Sequence, residues 1–418
     1  MNNIKVKGLL IVLFEIGLGL KFNIVGTISI SEIFLFLYFF VFLISQTSLY
    51  TKYPFLKKIT FLYFGLFFCQ VFAEIFVGNM ISNSFKGLSV TIVSYIHFIF
   101  LFSFFIKDRR LILYALAGKT FQLLIFGSNV EVSGTVEDAL SGEGASFLKF
   151  YLAPIVISFL LISSSIVGHR LRKIFPLIII VVGLFLVVLG ARSSGVTFSL
   201  TGLMAYFITG QRKFDIRVLR TIGVYMIIIG YGLYAVYVNQ VLNGNITSGN
   251  SAQLLELENP YNPVYLFMRG RAETFVGWTA FMDSFWIGHG AWAEDVTGKY
   301  RTLLFILHDA EDKISESIGI DGIIPSHSVL IGTGMQNGIL AFIMMLYILY
   351  AFLKAGVKSL SKDDPYLLIS LSLIFSLIWV GLFSAPPSFK NGLPLNFAML
   401  AASYLLNKTY NTDKKTLK

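Results

Sequence analysis

Residues 325–352 have the sequence PSHSVLIGTGMQNGILAFIMMLYILYAF, and this stretch decides the fold. The part from Val329 to Phe352 is apolar and long enough to cross a bilayer, since a spanning helix needs about 20 such residues. Before it lies the long polar segment 239–326. His327 therefore stands at the mouth of a predicted membrane helix and faces a large polar loop. A histidine in that position can meet a polar substrate, so His327 is the first candidate for chemistry.

The composition of the 418-residue chain is that of an integral membrane protein. It is 56% hydrophobic and 13% charged, whereas a soluble domain carries about 25% charged residues. The single cysteine, Cys69, excludes an intramolecular disulfide and a zinc site built from cysteines. The first apolar run follows Lys5 and Lys7 and has no small-residue cleavage site, so we expect it to remain as a helix.

Apolar segments of spanning length recur along the whole chain. Twelve are predicted, near residues 8–26, 31–48, 59–78, 87–106, 111–127, 148–168, 174–190, 194–210, 217–238, 327–353, 366–384 and 392–407. The predicted fold is therefore an all-α integral membrane protein with about twelve transmembrane helices. One long external loop is predicted between spans 9 and 10.

Lysine and arginine residues mark one side of the predicted bundle. Alternate gaps between spans hold 22 of the 33 basic residues, namely Lys5, Lys7, Lys52, Lys57, Lys58, Lys107, Arg109, Arg110, Arg170, Arg172, Lys173, Arg212, Lys213, Arg217, Arg220, Lys354, Lys358, Lys362, Lys408, Lys414, Lys415 and Lys418. Cytoplasmic loops are enriched in these residues, so both termini are predicted to be cytoplasmic. The gap 127–147 on the opposite side holds only acidic charges: Glu131, Glu137, Asp138 and Glu143. The net charge of +10 is a topology signal, and no nucleic-acid partner is predicted.

Three parts follow from this topology: a transmembrane bundle over 1–238, an external loop over 239–326, and a second transmembrane part over 327–418. The loop holds eleven acidic residues against five basic ones. It is too long for a plain connection, so we expect helices within it. Phe267 to Phe285 has apolar residues at helical spacing, which predicts an amphipathic helix against the membrane part.

Three cations are the candidate catalytic residues on the outer side. Arg192 lies between two apolar runs, Arg271 opens the predicted loop helix with Arg269 two residues earlier, and His327 begins the tenth span. Arginine is permanently charged and binds phosphate oxygens with two parallel hydrogen bonds, so two arginines can hold a diphosphate. A histidine beside them can take a proton from a sugar hydroxyl.

Simpler interpretations exist for each of these residues. An arginine at a helix end often extends to lipid headgroups, and a histidine at a helix start can serve only as a hydrogen bonder. Glu15, Glu74 and His97 lie within or near spans, where ionisable residues are costly. We interpret them as hydrogen bonders inside the bundle. The set of His289, His308, Asp309 and His327 has no zinc-site spacing, so no metal is predicted.

Several motifs together resemble the O-antigen ligase and Wzy-type polymerase superfamily. His327-Ser328, Leu330, Gln336 and Gly338 are similar to its His-Asn signature, in which an acid and then a glycine follow. Here Ser328 replaces the asparagine, Gln336 the acid and Ala341 the final glycine. The segment 190–195, GARSSG, resembles the family's Ser-Arg-Gly element. Arg271 to Phe275 followed by Gly288-His289-Gly290 resembles its Arg-x3-Trp and Gly-x-Gly elements.

The resemblance implies a glycosyltransferase of GT-C-like architecture at the outer face of the bacterial plasma membrane. Its donor would be an oligosaccharide on undecaprenyl diphosphate, its acceptor a glycan, and its surroundings membrane lipids. Arg192 and Arg271 would hold the diphosphate without a metal or other cofactor, and His327 would act on the acceptor hydroxyl. Substrate contacts are expected from Arg269, Ser193, Ser328, Gly288 and Gly290. A chain-length regulator protein is a further partner that the resemblance allows.

Alternatives to this function remain open at the sequence level. A secondary transporter would show broken helices in two related halves, and a scaffold or receptor would need no set of two arginines and a histidine. Within the superfamily, Ser328 and Gln336 depart from the pattern that is typical of ligases. This favours a polymerase of lipid-linked repeat units, with a ligase that transfers the glycan to lipid A core as the alternative.

Overall fold

The computed structural model describes residues 2–23, 27–45, 47–127, 151–189, 191–210, 216–245, 254–255, 259–307 and 322–416. It is about 79% helical, and the strands in the described part form one short hairpin. This confirms the predicted all-α class. The acidic residues Glu131, Glu137, Asp138 and Glu143 of the fifth gap lie outside the described residues.

The elements are named here in chain order. The hairpin consists of β1 (Lys21–Asn23) and β2 (Thr27–Ser29). The helices of the described residues are α1 (Asn2–Gly17), α2 (Ile30–Ser45), α3 (Thr47–Lys52), α4 (Pro54–Val77), α5 (Ile81–Phe105), α6 (Leu111–Phe126), α7 (Ala153–Ile166), α8 (His169–Arg172), α9 (Phe175–Val188), α10 (Arg192–Gly210), α11 (Ile216–Leu242), α12 (Pro263–Arg269), α13 (Ala272–Asp283), α14 (Lys299–Leu307), α15 (Val329–Ser359), α16 (Leu367–Phe383), α17 (Ser388–Asn391) and α18 (Leu393–Thr416).

Several of these helices have the length and composition of membrane spans. Within the described ranges, four helical stretches qualify: Pro54–Val77, Ile81–Phe105, Arg170–Val188, which includes parts of α8 and all of α9, and Val329–Ser359. Shorter apolar helices are Ile30–Phe39, Leu111–Phe126, Ala153–Ile166, Leu367–Phe383 and Leu393–Asn407. Many apolar helices of this kind are typical of a multi-pass membrane protein, and the number of twelve spans stays a prediction.

The amino-terminal segment differs from the predicted first span over 8–26. Helix α1 ends at Gly17, and the chain then forms the hairpin in which Lys21 pairs with Ser29. Glycine costs a helix about 1 kcal/mol relative to alanine, and Gly17 and Gly19 fall together at this point. The apolar composition of the segment could not distinguish a helix from a hairpin.

The chain divides into two compact units. The first contains residues 1–122, 272–360 and 373–418, and the second contains 123–271 and 361–372. In the first unit, helices α4, α5, α15 and α18 pack against one another. Phe352 on α15 stacks on Phe397 on α18 with ring centroids 4.0 Å apart, and Phe98 on α5 lies edge-on to Phe352. The three rings are fully buried and form the core.

The second unit is built around the close pair α9 and α10. A Cβ atom added at Gly195 on α10 would lie 2.5 Å from the carbonyl oxygen of Gly183 on α9. No side chain fits at that distance, so the pair of glycines lets the two backbones touch, as small residues do in membrane helices. This contact fixes the start of α10, where Arg192 lies.

The predicted loop helix over Phe267–Phe285 is present as two shorter helices. Helix α12 ends at Arg269 and α13 begins at Ala272. Gly270 lies in the break, where glycine readily leaves helical geometry. Helix α13 packs on α15 within the first unit, and Phe281 stacks on Phe342 at 5.3 Å. Helix α13 thus contacts a helix with the length and composition of a membrane span, and its placement against the membrane stays a prediction.

Candidate active site

His327 lies immediately before the long helix α15. The chain that leads to it is held by a backbone bridge between Glu294 and Ile323, and the Ile324 N–H donates to the Ala293 carbonyl at 2.9 Å. Ser328 is the N-cap of α15, and its side chain accepts a hydrogen bond from the Ile331 N–H. A cap of this kind fixes where the helix begins, so the position of His327 is fixed with it.

A buried carboxylate orients the His327 ring. Glu273 Oε2 lies 3.0 Å from His327 Nδ1, and the side chains are 7% and 28% exposed respectively. An ionised carboxylate only accepts hydrogen bonds, so Nδ1 carries the proton toward it. In the neutral ring the other nitrogen, Nε2, is then the one that can accept a hydrogen bond. The action of His327 as a base stays a prediction.

Two further contacts hold the backbone around the histidine. Thr274 Oγ1 donates to the His327 carbonyl at 3.3 Å. Ser328 Oγ donates to the Gly381 carbonyl at 3.1 Å and has no exposed surface. The hydroxyl of Ser328 is therefore used for capping and for this interhelical hydrogen bond. Its expected contact with substrate stays a prediction.

Glu273 was not among the residues that the sequence indicated. It lies in the segment from Arg271 to Phe275, which carries part of the family resemblance. It also lies in the first turn of helix α13. Acidic residues are common there because they interact favourably with the helix dipole, so the type of residue gave no signal. Burial was the distinguishing property, since Glu273 is 5% exposed. Only the fold brings it to His327.

Helix α15 is interrupted in its middle, and a turn of the loop occupies the break. Gly338 has φ 75° and ψ −175°, which are not helical values. The Met335 and Gln336 carbonyls accept from the His289 and Gly290 N–H groups at 2.8 and 2.9 Å. The Ile339 N–H donates to the Phe285 carbonyl at 2.9 Å. These three backbone groups at the break thus have hydrogen-bond partners, which backbone groups need in an apolar environment.

This turn accounts for the two glycines of the Gly-x-Gly element. Gly288 and Gly290 both have φ +85° and are buried. A Cβ atom at Gly288 would collide with the backbone of Gln336 and Asn337. The close approach of two backbones is a structural reason for glycine at this position. A role of Gly288 or Gly290 in substrate binding stays a prediction.

Glu74 holds the same turn from the other side. Its Oε1 accepts from the Ala291 N–H at 2.6 Å, and its Oε2 accepts from Ser84 Oγ at 2.6 Å. Asn79 Nδ2 donates both to Glu74 Oε2 at 3.1 Å and to the Ala291 carbonyl at 2.6 Å. The interpretation of Glu74 as a buried hydrogen bonder is confirmed. Its function is to fasten the loop to the end of α4.

A small polar cluster joins α13 to α14 beneath the turn. Asp283 Oδ2 accepts from Lys299 Nζ at 2.6 Å and from the Tyr300 hydroxyl at 2.8 Å. The hydrogen bond from Lys299, and then that from Tyr300, lowers the pKa of Asp283. Burial, and then Asp283, raises the pKa of Tyr300. His289 Nε2 lies 2.7 Å from the Ala280 carbonyl, which only accepts, so Nε2 carries a proton there.

Arg192 is the first residue of α10 in the second unit. One terminal guanidinium nitrogen donates to the Tyr237 hydroxyl at 2.8 Å, and the guanidinium carbon lies 5.5 Å from the Tyr237 ring centroid. A cation at a helix N-terminus is unfavourable with respect to the helix dipole. The Tyr237 hydroxyl and ring are the observed contacts of its guanidinium, and the binding of an anion by Arg192 stays a prediction. Ser193 follows in the same turn, half-buried.

The second arginine, Arg271, immediately precedes α13, and its N–H donates to the Met268 carbonyl at 3.4 Å. It belongs to the second unit with Arg192, whereas His327 belongs to the first. The expected meeting of Arg192, Arg271 and His327 in one cavity stays a prediction. The side chain of Arg269 and residue Gly190 lie outside the described part.

Within the described ranges, no group of three or more His, Cys, Asp or Glu side chains could hold a metal ion. His308 and Asp309, which the sequence placed in a possible metal set, lie outside those ranges.

Comparisons with known proteins give no assignment for this chain. No protein-family model matches it, and no curated protein matches it. The resemblance to the ligase and polymerase superfamily therefore rests on the motifs of the chain itself.

Proposed function

We propose that the protein is a membrane glycosyltransferase that uses His327 as its general base. The pairing of Glu273 with His327 carries the proposal. A buried carboxylate, a partly accessible imidazole 3.0 Å away, and a capped helix start form a rigid proton acceptor. A buried carboxylate is costly unless it is paired, and pairing with His327 both satisfies Glu273 and fixes the orientation of the ring.

The reaction is transfer of a glycan from undecaprenyl diphosphate. A hydroxyl oxygen of the acceptor sugar attacks the anomeric carbon and forms a new C–O bond. The bond from that carbon to the diphosphate oxygen breaks, and its electron pair leaves with the diphosphate. The hydroxyl proton passes to His327 Nε2, and Glu273 stabilises the imidazolium that results. Attack opposite the leaving group inverts the anomeric configuration.

Arg192 and Arg271 are the proposed binding groups for the departing diphosphate. Negative charge grows on that group as the bond breaks, and fixed cations stabilise it in the transition state. The guanidinium of Arg192 beside Tyr237, at a helix end that does not favour a cation, supports this role. Two such groups allow the reaction to proceed without a metal or another cofactor.

The proposed setting is the outer face of the bacterial plasma membrane. The positive residues alternate along the sequence in a way that supports twelve spans and cytoplasmic termini. The family resemblance implies a GT-C-like bundle. The lipid tail of the donor would lie among membrane lipids beside the spans. The loop, docked into the break of α15, would cover the site and exclude water. A chain-length regulator is a further proposed partner.

Of the two acceptors that the superfamily uses, we favour a second lipid-linked repeat unit. Ser328 at the N-cap and Gln336 at the helix break depart from the residues associated with ligases. Polymerases are each matched to a different repeat unit and so allow more variation around a shared core. The product would be O-antigen or a related surface polysaccharide.

The test uses the purified full chain in lipid with undecaprenyl-linked repeat units alone. A polymerase produces a ladder of longer lipid-linked glycans, and His327→Ala loses it. A product that forms only when lipid A core is added would assign the ligase instead. No glycan transfer to either acceptor, from protein that is folded by circular dichroism, would remove the proposal.

A further inference from the structure

An open pocket of about 360 Å³ lies within the second unit, where α11 faces the turn that leads into α12. It is lined by Tyr231, Asn259, Tyr261, Asn262 and Pro263. The volume falls within the range of small-molecule binding sites, which is about 300–1,000 Å³. None of these five residues belongs to the candidate active site described above.

The turn that forms one wall of the pocket is fixed by hydrogen bonds. The Asn262 N–H donates to the Asn259 carbonyl at 3.1 Å, and Asn262 Oδ1 accepts from the Val264 N–H at 3.0 Å. The Tyr234 hydroxyl on α11 donates to the Pro260 carbonyl at 2.6 Å. This last hydrogen bond ties the turn to the helix, so the pocket is formed before any ligand binds, as is usual for ligand sites.

The lining side chains leave polar groups for a ligand. The turn uses Oδ1 of Asn262, and the Nδ2 group of that amide is left to donate. The side chains of Asn259, Tyr231 and Tyr261 form no hydrogen bond with another described residue, and all three are exposed. An amide both donates and accepts hydrogen bonds, whereas tyrosine combines a hydroxyl group with an apolar ring face.

These groups indicate the chemical class of the ligand. Among the described residues, none with a charged side chain lines the pocket. A charged ligand would therefore find no ion-pair partner there. Two amides and two phenol hydroxyls suit a molecule rich in hydroxyl groups, and the two ring faces suit its C–H surfaces. A pyranose ring has both kinds of surface, so the lining favours an uncharged sugar.

The pocket lies on the same helix as the partner of Arg192. Tyr237, whose hydroxyl accepts from the Arg192 guanidinium, follows Tyr231 by six residues on α11. This separation is about 9 Å along the helix axis at 1.5 Å per residue. Arg192 and the pocket both belong to the second unit. A cation close to an uncharged polar pocket matches the order of groups in a glycosyl diphosphate, in which sugars follow the anion.

We propose that this pocket binds an uncharged sugar of the lipid-linked donor. Tyr231 and Tyr261 pack against the sugar ring, and Asn259 and Asn262 form hydrogen bonds with its hydroxyl groups. The identity of the donor rests on the proposed function. Contacts remote from the bond that breaks are equally strong in the bound substrate and in the transition state, so they lower KM and leave kcat unchanged. The pocket thereby selects the repeat unit.

Saturation-transfer NMR of the full chain in lipid discs tests the pocket without catalysis. The probe is the oligosaccharide that mild acid releases from the undecaprenyl-linked repeat unit. The wild type should transfer saturation to the protons of its sugar rings, whereas empty discs should not. Tyr231→Ala and Tyr261→Ala should each weaken binding by roughly fivefold, because each removes one ring face. Both side chains are exposed, so both variants should keep the wild-type melting temperature.

Tyr265→Ala is the matched control for Tyr261→Ala. Tyr265 is 45% exposed and Tyr261 is 43% exposed, but Tyr265 does not line the pocket. The control should bind the oligosaccharide as the wild type does. No saturation transfer in the wild type, or equal losses in the two variants, would overturn the proposal.

Two further measurements separate this inference from the proposed function. His327→Ala should lose glycan transfer and still bind the oligosaccharide like the wild type. In the transfer assay, Tyr261→Ala should raise KM for the lipid-linked donor by roughly fivefold and leave kcat unchanged. Binding of the oligosaccharide by a chain that transfers no glycan would support the pocket and remove only the glycosyltransferase. Glycan transfer with a wild-type KM in both Tyr231→Ala and Tyr261→Ala would remove only the pocket.

Discussion

The carboxylate oxygen Oε2 of Glu273 lies 3.0 Å from the ring nitrogen Nδ1 of His327, and both residues belong to the first unit. The glutamate is nearly inaccessible, whereas the histidine is partly exposed. The glutamate therefore orients the histidine ring, and the proposed reaction takes place at His327. In the arrangement of base and orienting carboxylate, the buried charge fixes the ring tautomer and stabilises the imidazolium.

Glu273→Gln should keep the fold and lower the rate of glycan transfer by roughly 100-fold. The amide still fills the site but no longer carries the charge that stabilises an imidazolium. The ring is then protonated less readily, so the acid limb of the pH–rate profile should move to lower pH. Glu294→Gln, an exposed carboxylate in the same loop, is the control. An unchanged profile in Glu273→Gln would rule out the orienting role.

Gly338→Ala should destabilise the protein by at least about 1–3 kcal/mol, because Gly338 has a backbone conformation that is essentially restricted to glycine. The added Cβ would also collide with the Trp286 carbonyl. The melting temperature measures the effect. Gly298→Ala is the matched control, since Gly298 also has positive φ, at 69°, but open space around it. Equal losses in both variants would show that the docked turn adds nothing.

Much of this architecture is predictable from sequence because hydrophobic composition determines which segments are membrane helices. The start of α15 at Val329 follows from the change from polar to apolar residues, which is why His327 could be placed. The interruption at Gly338 could not be predicted in this way. Gly334 and Gly338 are spaced four apart, which more often indicates close helix packing. Only the loop turn that binds at the break explains the conformation of Gly338.

The partners of the candidate residues were not predictable for a different reason. Glu273 is an ordinary residue for the first turn of a helix, and its importance comes from its contact with His327, which is distant in the sequence. The hairpin after Gly17 was missed because a short apolar run does not distinguish a strand from a helix. Burial and tertiary contact are properties that a single sequence does not encode locally.

Arg271→Lys should lower glycan transfer by roughly 30- to 1000-fold, which corresponds to about 2–4 kcal/mol of transition-state stabilisation. Lysine keeps the charge but cannot bind phosphate with two parallel hydrogen bonds. Arg192→Lys should lower the rate of glycan transfer by a similar factor. Tyr237→Phe removes only the hydroxyl that Arg192 contacts, so its loss should be smaller. The rate of glycan transfer from a lipid-linked donor measures the effect. Wild-type rates in both lysine variants would exclude contacts of the two arginines with the diphosphate.

The carboxylate of Asp283 gives a prediction for pH dependence. Its pKa is lowered from the ordinary 3.8 by the hydrogen bond from Lys299 and then by that from Tyr300. A group whose pKa is lower in the folded state stabilises the fold above its unfolded pKa, and this contribution is lost as pH falls through the folded value.

Asp283→Asn should therefore reduce stability at pH 7 by less than about 1 kcal/mol, since the pair is partly exposed. The difference in stability between this variant and the wild type should disappear as the pH falls below about 4. Melting temperatures over this pH range provide the measurement. Lys299→Met should give a smaller pH-dependent difference in the same direction, because the hydrogen bond from Tyr300 remains. A difference that persists at low pH would show that packing, and not charge, is responsible.

The twelve-span topology predicts the accessibility of two exposed positions. Val296 in the loop is 89% exposed, and Asp363 in the gap after α15 is also exposed. With Cys69→Ser as background, a cysteine at position 296 should react with an impermeant thiol reagent in intact cells. A cysteine at position 363 should react only after the membrane is opened, because basic residues near it mark the cytoplasmic side. Both positions are exposed in the fold, so a failure to label reflects the membrane and not burial. Labelling of position 363 from outside would show that an odd number of spans precedes it, whereas an even number is predicted. The assignment of His327 to the outer face would then also be wrong.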